Sequence, residues 1–262
     1  MAQAPRFADP LAVRLACRED RLDGFPSRAI DGFLCANVVM LDQSYAADFE
    51  AFCRANPVSC PLLAVVPAGQ RRCPERWARD CDFCTDLRSY DVIEGGVTTR
   101  SVPRVDDLFH EDLVTFLIGS SVSFDGELEV RGWRPGWGPC IYETAVPCEP
   151  VGPFRGPMAV TMRTFPPAVA DLVSEFTAHF PDCHGGPVGR NDAGALGIAD
   201  ESRFLLPPPR PGPIPPGEDR LYWGCGITPS RVAVQARLPL MIVHTPGNAL
   251  VTDVRTMKLW RA

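Results

Sequence analysis

Leu221-Tyr222-Trp223-Gly224-Cys225, turning through Gly226-Ile227-Thr228-Pro229 into residues 230–236, sets the fold expected of this chain. The first five residues form an apolar, aromatic run of strand type. Thr228 suits a helix cap and Pro229 the first helical turn, where its missing N–H costs nothing. Residues 230–236 supply a short helix and 240–244 a second strand, and Thr245-Pro246-Gly247-Asn248 is a turn leading to a third strand at 249–253. Parallel strands need a crossover of about a dozen residues, and positions 226–239 provide one, so the spacing predicts a βαβ unit. Ligands of such units gather where strands end and helix N-termini offer free N–H groups. Cys225, Thr228, His244 and Asp253 would then share one rim. Taken singly, each has a plain structural counterpart: a buried thiol, a helix cap, a residue at a strand end.

Outward from this stretch, several segments carry polar residues inside apolar runs. Residues 32–41 read as a buried strand interrupted only by Asn37, which is either a satisfied core amide or a substrate contact. Residues 7–24 predict an amphipathic helix with Arg14, Arg18 and Arg21 among its polar positions. Residues 45–55 predict a second helix stopped by Asn56-Pro57, 62–66 a strand, and 108–118 a helix. The helix at 108–118 is followed by Gly119-Ser120-Ser121-Val122-Ser123-Phe124-Asp125, where Ser121 and Ser123 suit either anion contact or a polar turn. Residues 141–146 predict a strand carrying Glu143. Residues 158–163 form a central-strand run ending in Arg163, placed for carboxylate recognition or for a structural ion pair. A helix over 166–180 leads to Cys183-His184-Gly185. The seven prolines within 206–217 make a stiff surface connector.

Composition narrows the function. A net charge of −6 over 262 residues leaves no basic footprint, which argues against a nucleic-acid partner. No apolar run approaches the roughly 20 residues of a membrane span, and Met1 to Arg6 lack the apolar core of a signal peptide, so a cytoplasmic location is expected. Eleven cysteines in such a chain are expected as thiols rather than a disulfide framework. The Cys81–Cys84 pair lacks the second pair that a zinc site needs. Lys258 is the single lysine, close to the chain end, which disfavours Schiff-base chemistry. No dinucleotide or phosphate-loop motif accompanies Gly224-Cys225-Gly226, so no cofactor is predicted, with a divalent metal left open. A homo-oligomer is likewise left open.

Read in order, nine segments resemble the D-glutamate cyclase-like hydro-lyase family. They are 32–41; Asn56-Pro57 with Cys60-Pro61-Leu62-Leu63; Thr85-Asp86-Leu87 with Tyr90; 116–124; 152–163; His184-Gly185; 196–200; 223–229; and 244–253. The resemblance implies an α/β fold with a three-layer α/β main domain, expected at 1–66 and 150–262, and a smaller two-layer α+β domain inserted at 67–149. It also implies conversion of D-glutamate to 5-oxo-D-proline with loss of water. The chain departs from the family pattern at Cys35 (usually Gln), Ser120 (Cys), Glu143 (Arg), Gly189 (His) and Asn248 (His).

A small-molecule carboxylate substrate is therefore expected. Arg163, Thr228, Ser121 and Ser123 are the candidate clamp, with Asn37, Glu143 and Asn248 as further contacts. His244 and His184 are candidate acid–base groups, Asp86 and Asp253 orient them or act as base, and Cys225 is a nucleophile or lines the pocket. A carboxylate at Glu143 would repel a dicarboxylate, which argues against D-glutamate as the best substrate. The competing expectation is a ligand-binding relative that has lost catalysis.

Overall fold

The computed structural model describes residues 7–209 and 212–262; Met1 to Arg6, and Arg210 and Pro211 of the proline run, lie outside the described residues. The chain is a mixed α/β fold built on two antiparallel sheets. Its strands are β1 Phe33–Asp42, β2 Leu62–Val66, β3 Tyr90–Glu94, β4 Val97–Val102, β5 Leu113–Gly119, β6 Trp137–Pro147, β7 Pro157–Phe165, β8 Gly189–Arg190, β9 Asp219–Gly224, β10 Met241–His244 and β11 Leu250–Arg255. Its α-helices are α1 Pro10–Arg18, α2 Pro26–Ala29, α3 Gln43–Ala55, α4 Asp125–Val130, α5 Pro167–Ala178 and α6 Thr228–Ala236. None is long and apolar enough to cross a membrane.

The seven-stranded sheet runs β2-β5-β1-β10-β3-β4, with β11 also on β1. The second sheet runs β6-β7-β9-β8. The expected parallel βαβ unit is therefore corrected. Strand β9 pairs antiparallel with β7 and β8, whereas β10 pairs antiparallel with β1 and β3 in the other sheet. A crossover of the right length satisfies the chain-length condition without fixing which sheet receives the next strand. The helix expected over 108–118 is also corrected, because Leu113–Gly119 is strand β5, buried at every position. A continuous β-branched and aromatic run is what a strand covered on both faces requires. Residues 67–149 supply β3, β4 and β5 to the larger sheet and β6 to the smaller one.

The sheets face one another across the main core. Val39, Phe116 and Ile118 meet Tyr142, Val160, Met162 and Tyr222, joined by Phe49 of α3 and Val232 of α6. Phe165, Leu221 and Trp223 on the outer face of the smaller sheet pack with Ala170 and Val173 of α5 and with Phe124. Helix α1 starts at Asp9, whose carboxylate accepts from the Leu11 N–H, and it packs on β11. Its Arg14 is buried rather than polar-facing, donating to the Val251 carbonyl and pairing with Asp253 at 3.1 Å.

Candidate active site

Arg163 is the centre of the buried polar chemistry. Alternation along β7 puts Thr161 and Arg163 on one face, opposite Trp223 and Leu221 of β9. The guanidinium carbon lies 5.5 Å from the Phe124 ring centroid and 5.3 Å from that of Trp223. Nη2 is 2.9 Å from Asp125 Oδ1 and donates, at 3.5 Å, to the Ser121 hydroxyl. Nε and Nη1 are buried and, among the described residues, have no hydrogen-bond partner. Two unsatisfied donors on a buried cation are costly unless something occupies them.

The 119–125 stretch serves this cation from the end of β5. A 3₁₀ turn over Ser121–Phe124 runs directly into α4, delivering Ser121, Phe124 and Asp125 together. Ser123 turns away: its hydroxyl donates to the Ser120 carbonyl and accepts from the Cys35 N–H, so it holds β1 and is removed from the clamp. Burial pushes the Asp125 carboxyl above its ordinary value against the pull of Arg163, although 42% of the side chain remains accessible.

His184 completes the cluster. It follows a 3₁₀ turn at Pro181–Cys183 and takes a left-handed backbone, φ 78°. Its Nδ1 lies 2.7 Å from the Val58 carbonyl, which can only accept, so Nδ1 carries the proton. The neutral ring then leaves Nε2 as a lone pair near the Gly119 carbonyl, and among the described residues this atom has no hydrogen-bond partner. Burial, together with the nearby Arg163 charge, lowers the His184 pKa to about 4, against the opposing pull of the Val58 and Gly119 carbonyls. Neighbouring glycines permit this crowding: a Cβ on Gly224 would strike the Val58 carbonyl, and one on Gly226 would overlap the Asn37 amide.

Asn37 and Cys225 line the same region. The Asn37 amide donates to the Gly119 carbonyl at 2.7 Å, beside His184. Burial raises the Cys225 pKa, partly offset by the Thr161 hydroxyl, the Ile227 N–H and Arg163. At neutral pH it is a thiol beside this buried cluster, not a thiolate nucleophile. Thr228 is structural, since its hydroxyl donates to the Cys225 carbonyl and accepts from the Ala159 N–H, fixing the β9–α6 corner to β7.

The other expected site residues lie elsewhere. Asp86, inaccessible itself, forms two 2.7 Å bonds to Arg18 of α1, and Asp253 takes Arg14 and the Arg79 N–H. Both carboxylates anchor α1 rather than orient a histidine. Glu143 is paired with Arg231 at the half-exposed surface, so the repulsion expected of a bare carboxylate does not arise. Asn248 lines an open cleft of about 350 Å³ with Gly24, Phe25, Arg88 and Ser89. His244 accepts the Val38 N–H at Nδ1, and burial lowers its pKa to about 4 with Asp91 opposing. It is thus tied to β1 next to Asn37, but among the described residues no hydrogen bond or charge interaction joins it to Arg163 or His184.

Two residues of this cluster escaped sequence reasoning. Thr161 was legible in principle as the residue two before Arg163 on the same strand face. Asp125 closes the serine-rich stretch but carries no local mark of its role. Among the described residues no three His, Cys, Asp or Glu side chains converge as a metal site. Cys81 faces Cys73, while Cys84 lies beside Asp82 and Arg71.

Against known proteins, the sequence model described as D-glutamate cyclase matches residues 114–253. A Methylobacterium radiotolerans protein is 39% identical over 96% of this chain and 93% of its own length. A Bordetella petrii protein is 38% identical over 99% of each. A Bacillus subtilis protein is 36% identical over 95% of this chain and 98% of its own. All three bear the name "putative hydro-lyase".

Proposed function

Because the chain belongs to the D-glutamate cyclase family, we propose that it is a lyase that removes water from a small carboxylated substrate held at Arg163, with D-glutamate closing to 5-oxo-D-proline as its reaction. The observation that carries this reading is the pairing of unsatisfied groups of opposite character. Arg163 Nε and Nη1 are buried donors without acceptors, and His184 Nε2 is a buried acceptor without a donor. A carboxylated ligand with an N–H or O–H supplies both.

In the cyclisation, the amine nitrogen attacks the γ-carboxyl carbon. A C–N bond forms, a C–O bond breaks, and two of the three ammonium protons leave with a carboxylate oxygen as water, the third staying on the lactam nitrogen. Arg163 neutralises a substrate carboxylate, and its fixed position against the Phe124 and Trp223 rings means that little reorganisation is needed when charge shifts. His184 Nε2 accepts one ammonium proton, which frees the nitrogen to attack, and returns it to the departing oxygen, and the second proton follows the same route as the C–O bond breaks. Ser121, Thr161 and Cys225 form an uncharged wall.

The test incubates the protein with D- and L-glutamate and follows 5-oxoproline by chiral chromatography. Product from the D enantiomer, lost in His184→Asn and Arg163→Lys, is expected. No turnover of D-glutamate, with no ligand-induced stabilisation by any of a panel of small carboxylates, would overturn the reading.

A further inference from the structure

We infer that Asp125 selects, for the site at Arg163, a ligand that carries an ammonium group beside its carboxylate, so that an α-amino acid is preferred over its 2-hydroxy or unsubstituted counterpart. This rests on the assignment of a substrate carboxylate to Arg163.

The pair they form is asymmetric. Arg163 is wholly buried, whereas 42% of the Asp125 side chain is accessible, so a ligand arriving from solvent meets the carboxylate before the cation. Asp125 Oδ1 engages Nη2 at 2.9 Å, and among the described residues its Oδ2 takes no hydrogen bond. Nη1 shares a carbon with Nη2, so a ligand carboxylate drawn to Nη1 lies next to Asp125. A ligand bearing only a carboxylate brings like charges together there. An ammonium on the adjacent carbon reverses that sign and meets a free carboxylate oxygen.

The charge count of the groups around Arg163 agrees. Arg163 contributes one positive charge and Asp125 one negative, while Ser121, Thr161, Asn37 and Cys225 are uncharged side chains and the buried His184 is neutral. Beyond Asp125, Arg28 and Glu129 act on it with opposite signs, so the rim adds no strong bias. One charge of each sign, held side by side among uncharged groups, matches a zwitterionic head group.

The experiment measures calorimetric affinities of the full-length protein for D-glutamate, D-2-hydroxyglutarate and glutarate, with Asp125→Asn, Asp125→Ser and Arg163→Lys variants alongside. Serine suits the start of α4 and serves if the asparagine variant fails to fold. Wild type is expected to prefer the amino acid at least tenfold. Either Asp125 variant should lose tenfold or more for D-glutamate while binding the other two equally well or better, and Arg163→Lys should weaken all three. Asp125 variants that weaken all three ligands equally, with Arg163→Lys still acting, would overturn the selectivity role alone. An Arg163→Lys variant without effect on any ligand would overturn the site assignment and this role with it.

Discussion

His184→Asn is the most informative single change. The asparagine amide nitrogen can occupy the place of Nδ1 and keep the bond to the Val58 carbonyl, and asparagine tolerates the left-handed backbone at φ 78°. The titratable ring and the Nε2 lone pair are lost. A histidine pKa near 6.5 in the unfolded chain and about 4 in the fold means that the unfolded state binds more protons between those values. Stability therefore rises with pH across that window, and the contribution of the neutral ring is lost as pH falls from about 6.5 to about 4. Between pH 7.5 and 4.5 this single group accounts for about 2.5 kcal/mol. With a urea slope of about 2.5 kcal/mol per M, the midpoint should drop by about 1 M from this residue, His244 adding its own share. Carboxylates with lowered pKa, such as Asp42 and Asp219, act below this window. Urea melts of both proteins at several pH values provide the assay. The variant should retain most of its stability at pH 7.5, show a shallower acid dependence than wild type, and have no lyase activity. An acid dependence identical to wild type would refute the buried neutral imidazole and the proton-accepting role built on it.

Gly226→Ala should destabilise the fold by about 1–3 kcal/mol, because its methyl group overlaps the Asn37 amide, and Asn37→Ser should recover part of that loss in thermal melts of the double variant. Asp86→Asn should cost about 3 kcal/mol by leaving Arg18 without its carboxylate, yet keep the turnover of folded protein, which kinetics at low temperature would verify. Glu143→Ala breaks a half-exposed pair with Arg231 and should change stability by less than about 1 kcal/mol, with KM for D-glutamate within twofold of wild type. A large KM effect there would return Glu143 to the site.

Much of the local structure was legible in the residues. Strand β1 announces itself as an apolar run from Phe33, and α3 and α5 by their periodicity and by prolines at their ends. Sheet membership was not legible, because residues 221–224 take their partners from β7 and β8 whereas residues 241–244 take theirs from β1 and β3, more than a hundred positions earlier. The fates of Asp86 and Asp253 were hidden for the same reason. Their partners Arg18 and Arg14 stand 68 and 239 positions off, on a helix whose own pattern marks them as surface residues. Arg163, Ser121 and His184 were recognisable as polar groups in apolar settings, the one signal that survives without knowledge of pairing. Which of them would stay unsatisfied is a property of the assembled core alone.

The larger sheet also dictates an order of events during synthesis. Strand β1, at residues 33–42, has β5 on one side, but its other edge waits for β10 and β11 at residues 241–255. A ribosome adding about 5–20 residues per second needs on the order of 10–40 s to cover that interval. Throughout it, an apolar strand with one open edge is offered to any neighbouring chain. The buried cation Arg14 cannot be secured earlier either, since its carboxylate partner Asp253 arrives in the same closing portion of the chain. A nascent chain of this protein is thus a substrate for chaperones until β10 and β11 emerge, and loss of these two strands should leave an aggregating polypeptide rather than a smaller folded one.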